Sequence, residues 1–233
     1  MNEMLFFGFA AIMLSLTLGA FRAGKQYLLA LIVLLSVLMN IFVTKQFELF
    51  GVNVTGGNVL YGAIFLATDL LSEHFGKKSA LQAVWSGLFA SVILVISTQF
   101  LLAFVPNGFD TMQGSLETLF AVTPRILFGS FLAYLVAQHL DVFLYAKIRK
   151  MFPAKSWLWL RNNGSTMISQ LVDSIIFTAV GLTSFSFLPI EGFIPTELFW
   201  EITWATYIIK LIVAAIDTPL LYLSYVIKPK NIV

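Results

Sequence analysis

The chain of 233 residues is 59% hydrophobic and 11% charged, with a mean hydropathy of +0.89 and a formal net charge of +2. A water-soluble domain carries roughly 25% charged residues, so this composition excludes an ordinary soluble globule and predicts an all-α integral membrane protein. The absence of cysteine excludes disulfides, thiolate metal sites and cysteine nucleophiles.

Apolar stretches of about 18 to 25 residues mark candidate spans, and they predict a polytopic bundle of six to seven transmembrane helices forming one domain over 1–233. The first, Met4 to Phe21, has no basic segment before it and is followed by Arg22 and Lys25. Those flanks fit a retained span rather than a cleaved signal. The core bundle, 27–227, then contains Tyr27 to Val43, Asn58 to His74, Ala80 to Val105, Thr118 to Tyr145, Ser165 to Leu188 and Phe199 to Ile227. The connections Val105 to Glu117 and Ala146 to Gly164 are too short for a separate soluble domain. In the second, Trp157 and Trp159 among basic residues suit a segment at the headgroup level. Pro189, Gly192 and Pro195 make the last loop rich in turn residues.

The cations of the connections fall on one side. Arg22, Lys25, Lys77, Lys78, Lys147, Arg149, Lys150, Lys155, Arg161, Lys228 and Lys230 occupy one set of helix ends, against Lys45 alone on the other. The positive-inside rule then predicts an inner-membrane protein with its N-terminus outside and its C-terminus in the cytoplasm.

A charged group near the bilayer centre costs about 2.5 to 3.5 kcal/mol even on lenient insertion scales, so each one asks for a reason. Asp69 and Glu73 lie four apart on the third helix, where Asn58, Tyr61 and Phe65 extend the same stripe. Gln170, Asp173 and Phe177 share a face of the sixth helix, and Lys210 and Asp217 a face of the seventh, where Pro219 predicts a kink. Arg125 follows Pro124 at the start of the fifth. Interhelical pairs such as Asp173 with Lys210, or Arg125 with Asp69, would account for some of these groups as packing glue. Polarity at mid-span on four helices exceeds that need and predicts a central polar cavity. Asp141, close to Lys147 and Arg149, reads as their neutraliser. His74 and His139 near cytoplasmic ends read as interfacial, with His74 and Asp217 kept as coupling or structural residues. No phosphate-loop, zinc-ligand or nucleophile-elbow pattern occurs, so neither cofactor nor metal is expected and an enzyme would have only carboxylates to work with.

The segment Phe65-Leu-Ala-Thr-Asp-Leu-Leu-Ser-Glu-His-Phe-Gly-Lys-Lys78 closely resembles the signature of the queuosine precursor transporter family, also called the vitamin uptake transporter family. Thr123-Pro-Arg-Ile126, Ser169-Gln-Leu-Val-Asp-Ser174 and Asp217-Thr-Pro219, preceded by Lys210, fit it in order, and the first helix is an addition to the six-helical pattern. The resemblance implies a bundle similar to the substrate-binding subunits of energy-coupling-factor vitamin transporters. It also implies import of 7-deazapurines such as the nitrile and aminomethyl forms of 7-deazaguanine, or queuine, with no nucleic-acid partner. On that reading Asp69, Glu73 or Asp173 accepts from the donor edge of the base, Gln170, Asn58 or Arg125 serves its acceptors, Lys210 joins the site as a counter-charge, and Phe65, Tyr61, Trp85 or Phe177 stacks on it. The alternatives are a capture subunit for another vitamin or nucleobase that needs a separate ATP-driven module, a membrane enzyme, or a scaffold. Small residues such as Gly62, Ala63, Gly87, Ala90 and Ser91 suit close helix contact in a bundle or a homo-oligomer alike.

Overall fold

The structure, a computed structural model, describes residues 1–120, 124–183 and 195–229, without the side chains of 46, 52, 53, 55 and 124–127. Its elements are α1 (Asn2–Ala23), α2 (Lys25–Phe42), β1 (Gln46–Leu49), β2 (Val52–Thr55), α3 (Gly57–His74), α4 (Lys77–Ala103), α5 (Gln113–Phe120), α6 (Pro124–Met151), α7 (Leu158–Ile176) and α8 (Phe199–Ile227).

The centre of the bundle is α3. Every residue from Gly57 to Glu73 is buried, and α1, α2, α4, α6 and α8 all pack against it. A helix enclosed in this way is normally apolar all round. This one carries Asn58, Thr68, Asp69, Ser72 and Glu73, which protein must satisfy because lipid cannot. Among the described residues, six helical stretches are long and apolar enough to cross a membrane, and α3 is not one of them. They surround it.

Those six carry the lipid-compatible surface. On α4, the exposed Trp85, Phe89, Ile93, Ile96 and Phe100 recur at helical spacing, while Ala83, Val84, Gly87 and Ser91 face inward. In lipid, outward apolar surface supplies no drive for helix association, so close packing and interhelical hydrogen bonds must hold the bundle. The contacts are accordingly tight. A Cβ on Gly62 would lie 2.2 Å from Val213 Cγ1 on α8, and one on Gly129 would lie 2.6 Å from the Gly181 backbone. Asn40 on α2 donates to Ser91 Oγ on α4 at 3.1 Å.

Several boundaries depart from expectation. Pro124 opens α6 separately from α5, with 121–123 outside the described residues. The helix α6 continues to Met151 and α7 begins at Leu158, so much of the expected connection from Ala146 to Gly164 is helical. A 3₁₀ turn at Lys155–Trp157 joins the two, with Trp157 and Trp159 exposed. The expected sixth helix, Ser165 to Leu188, ends instead in a π-helical turn over Phe177–Leu182, and 184–194, which include Pro189 and Gly192, lie outside the described residues. The helix α8 runs through Pro219 to Ile227. Between α2 and α3 the chain forms a hairpin that hydropathy did not predict. Phe50 and Gly51 turn it with φ of 50° and 79°, the positive φ values that a tight two-residue hairpin turn requires.

The hairpin marks one end of the bundle: Asn2 donates to the Glu48 carbonyl at 3.1 Å, and the Phe50 amide donates to Glu3 at 3.4 Å. The other end gathers the cation-bearing segments. There Phe21 meets His74 with ring centroids 4.6 Å apart, His74 meets Tyr225, and Arg149 donates to the Ser72 carbonyl at 2.7 Å.

Candidate functional site

The inward face of α3 presents three polar levels in succession. The first surrounds a small cavity bordered by Asn58, Tyr61 and Phe65 from α3, Gln170 from α7, and Lys210 and Asp217 from α8. Beside it Tyr61 donates its hydroxyl to Asp173 Oδ1 at 2.5 Å, and Lys210 forms an ion pair with Asp173 Oδ2. The Lys210 ammonium also lies 4.9 Å from the centroid of the Tyr61 ring. The interhelical pair of Asp173 with Lys210 therefore exists, with Lys210 on the cavity rim and Asp173 behind it.

Unmatched acceptors define the chemistry of this level. Gln170 Oε1 and Asp217 Oδ1 border the cavity, are buried, and have no hydrogen-bond donor. Each such group costs about 1 to 3 kcal/mol when left unpaired. The free space of ≈ 10 Å³ holds about one water molecule, whereas ligand pockets span roughly 300 to 1,000 Å³. The structure is closed around this site.

One turn further along α3, Asp69 lies against Asp141 of α6, with Asp217 and Glu73 as its next acidic neighbours. Asp141 also accepts from Ser169 at 3.1 Å and from Thr166 at 3.4 Å. It is wholly buried, so the expected neutralisation of Lys147 and Arg149 is wrong: the side chain points into the core, away from the basic end. Asp69 Oδ1 and Asp141 Oδ2 have no donor from other residues, and among the described residues no cation pairs with Asp69, Asp141 or Asp217. Asp69 sits below the cavity and does not border it.

Glu73 forms the third level. It accepts from Arg161 at 2.9 Å and Tyr145 at 2.7 Å, also accepts from Tyr225, and has Arg149 at 3.7 Å. Arg161 is another correction. Expected in a basic connection, it is fully buried on α7 and donates also to the carbonyls of Phe152, Pro153 and Ala154. A buried guanidinium needs partners, and the carbonyl cluster supplies them to one terminal nitrogen and Glu73 to the other, while Nε has none.

The remaining expectations fall outside the column. His74 contacts Ser224 Oγ at 2.7 Å between the Phe21 and Tyr225 rings, at the basic end. Trp85 is 55% exposed and packs on His139, so it cannot stack on anything in the cavity. Phe177 lies in the π-helical turn against Gly181. The Arg125 side chain and Thr123 lie outside the described residues. Sequence reasoning missed Gln138, Asp141, Tyr145, Arg161 and Tyr225. For α6 a signal existed, since Tyr134, Gln138, Asp141 and Tyr145 recur at i, i+4, i+7 and i+11, one stripe of buried polar side chains.

A buried polar column inside a jacket of six lipid-compatible helices defines a multi-pass membrane protein. Residues 55–224 match the family model described as "Putative vitamin uptake transporter". The chain is 42% identical over 208 residues to a Bacillus subtilis (strain 168) protein named "Probable queuosine precursor transporter", covering 89% of this chain and 87% of that one. It is 29% identical over 140 residues to the Escherichia coli (strain K12) "Queuosine precursor transporter", 59% of each chain. No solved structure matches. The chain belongs to the queuosine precursor transporter family, the vitamin uptake transporters, and is a transporter rather than an enzyme.

Proposed function

We propose that this protein imports queuosine precursors, free 7-deazapurine bases, across the inner membrane through the site between α3, α7 and α8. The observation that carries the reading is the pair of donor-less buried acceptors, Gln170 Oε1 and Asp217 Oδ1, on the rim of the closed cavity. A guanine-like edge offers adjacent N–H donors that such acceptors take up, and the Lys210 ammonium and Asn58 amide serve its carbonyl oxygen and ring nitrogen. Phe65 and Tyr61, whose rings lie 5.2 Å apart, offer apolar faces to the heterocycle. Asp69 and Asp141, one turn deeper, form the second station of the path, and the excess of acid over base there favours the cationic aminomethyl form.

Because the cavity is closed, transport requires α8 to separate from α3 and re-form the contact on the other side of the bound base, an alternating-access cycle around a midplane site. The Glu73 cluster closes the path toward the basic end, which faces the cytoplasm. Exchange of a proton by Asp69 and Asp141 during the cycle would couple transport to the proton gradient.

The test is uptake of the nitrile, aminomethyl and queuine forms into cells unable to make queuosine, with adenine and riboflavin as controls. Asp217→Asn and Gln170→Leu should each lower uptake at least tenfold while the protein remains in the membrane. Wild-type uptake by both variants would overturn the site, and preferential uptake of riboflavin would overturn the substrate class. Vesicles containing the purified chain alone test whether it works without an ATP-driven module.

A further inference from the structure

Outside the transport column, a second cavity of ≈ 330 Å³ opens at the basic end, between the start of α4 and the last turns of α6. Lys77, Arg149 and Lys150 border it, together with Ser72, Gly76 and Tyr145. Neither Lys77 nor Lys150 pairs with a carboxylate among the described residues. Arg149 spends one nitrogen on the Ser72 carbonyl and stands 3.7 Å from Glu73, whose charge the buried Arg161 already meets. The cavity therefore carries surplus positive charge.

A second observation also points to a ligand. Ser72, which lines the cavity, is 4% exposed, and its buried hydroxyl has no hydrogen-bond partner. Such a buried hydroxyl costs free energy unless something accepts from it. Gly76, at φ 84°, turns the chain so that α4 begins at the cavity wall, and a helix start adds partial positive charge to it.

We propose that this cavity binds a phosphate group, with Lys77, Lys150 and Arg149 as its cations and the Ser72 hydroxyl as its neutral donor. A carboxylate would leave donors unused; a tetrahedral phosphate presents enough oxygens for all four side chains. The volume exceeds that of the phosphate itself, so the ligand is an ester. Phe143, 50% exposed and in contact with Lys77 at 5.0 Å from its ring centroid, and the exposed Met151 offer apolar surface near the mouth. A phospholipid headgroup and a soluble phosphate monoester share this chemistry.

The experiment measures thermal unfolding of the purified full chain in neutral detergent, with dioleoyl-phosphatidylglycerol, dioleoyl-phosphatidylcholine and glycerol 3-phosphate as separate probes. At a hundredfold excess over Kd, a true ligand raises Tm by about 5 °C or more. Stabilisation by phosphatidylglycerol alone identifies a lipid headgroup, and stabilisation by glycerol 3-phosphate as well identifies a site for the phosphate ester itself. The double variant Lys77→Gln, Lys150→Gln, with surface-exposed positions and an unchanged Tm in the absence of probe, should lose the shift while still taking up the base. No shift with either anionic probe, an equal shift with phosphatidylcholine, or a full shift in the double variant would overturn the proposal.

Discussion

Asp69 and Glu73 stand one turn apart on the same helix, yet their surroundings predict opposite responses to the same substitution. Glu73 holds Arg161, Tyr145 and Tyr225 together, so Glu73→Gln strands a buried guanidinium and should cost about 3 to 5 kcal/mol. That loss would appear as a lower unfolding temperature in detergent and reduced yield from membranes. Asp69 faces another carboxyl, Asp141, and an Asn at 69 would donate to it. Asp69→Asn should therefore leave the unfolding temperature equal to or above wild type while lowering uptake at least tenfold. Normal uptake by Asp69→Asn would remove Asp69 from the path, and an unchanged unfolding temperature in Glu73→Gln would show that the cluster does not hold the basic end together.

At the scale of elements, the approach of α8 to α3 decides whether the site is closed. Gly62 permits it, because any side chain there meets Val213. Gly62→Ala should overpack the contact by about 1 to 3 kcal/mol and weaken closure, reducing uptake. Adding Val213→Ala should restore much of the loss, a coupling that a double-mutant cycle reads directly. Additive losses would mean that this contact is not the hinge of closure. How far the sequence reaches is clearest at this scale. Six of the seven expected spans follow from apolar length, whereas the third, α3, is not among the helices long and apolar enough to cross, and the terminal helix, Phe199 to Ile227, agrees with its expected bounds at both ends. Part of the cavity rim is legible, because lipid makes Asn58, Gln170 and Lys210 costly wherever they cannot face one another, whereas Asp217 is expected only as a coupling or structural residue and the expected Asp69 and Glu73 do not border the cavity. Hydropathy fails where the chain is amphiphilic: the hairpin is too short to register, and Arg161 adjoins a basic turn, so its charge reads as interfacial until a buried partner is seen. Asp141 fails for the same reason, its neighbours in sequence being cations and its neighbours in space being hydroxyls and Asp69.

For the whole molecule, the distribution of charge along the bundle axis predicts its orientation. The ends that carry Arg22, Lys77, Arg149 and Arg161 meet around Glu73 and His74, while the hairpin and the N-terminus meet at the far end. The positive-inside rule predicts that the basic end faces the cytoplasm and the hairpin the outside. The complete lack of cysteine makes this directly measurable, since a single introduced thiol has no background. Glu48→Cys places the thiol on the exposed hairpin, and Lys147→Cys places it on an exposed position of the last turns of α6. A membrane-impermeant maleimide added to intact cells, or to spheroplasts where an outer membrane is present, should label the first and leave the second untouched until the inner membrane is opened. The reverse pattern would invert the topology and with it the direction in which the Glu73 cluster closes the path. Labelling of Glu48→Cys should also persist in the Asp69→Asn background, because the hairpin is fixed to α1 by the Asn2 and Glu3 contacts and not by the polar column. That combination separates a transporter that has lost its site from one that has lost its fold.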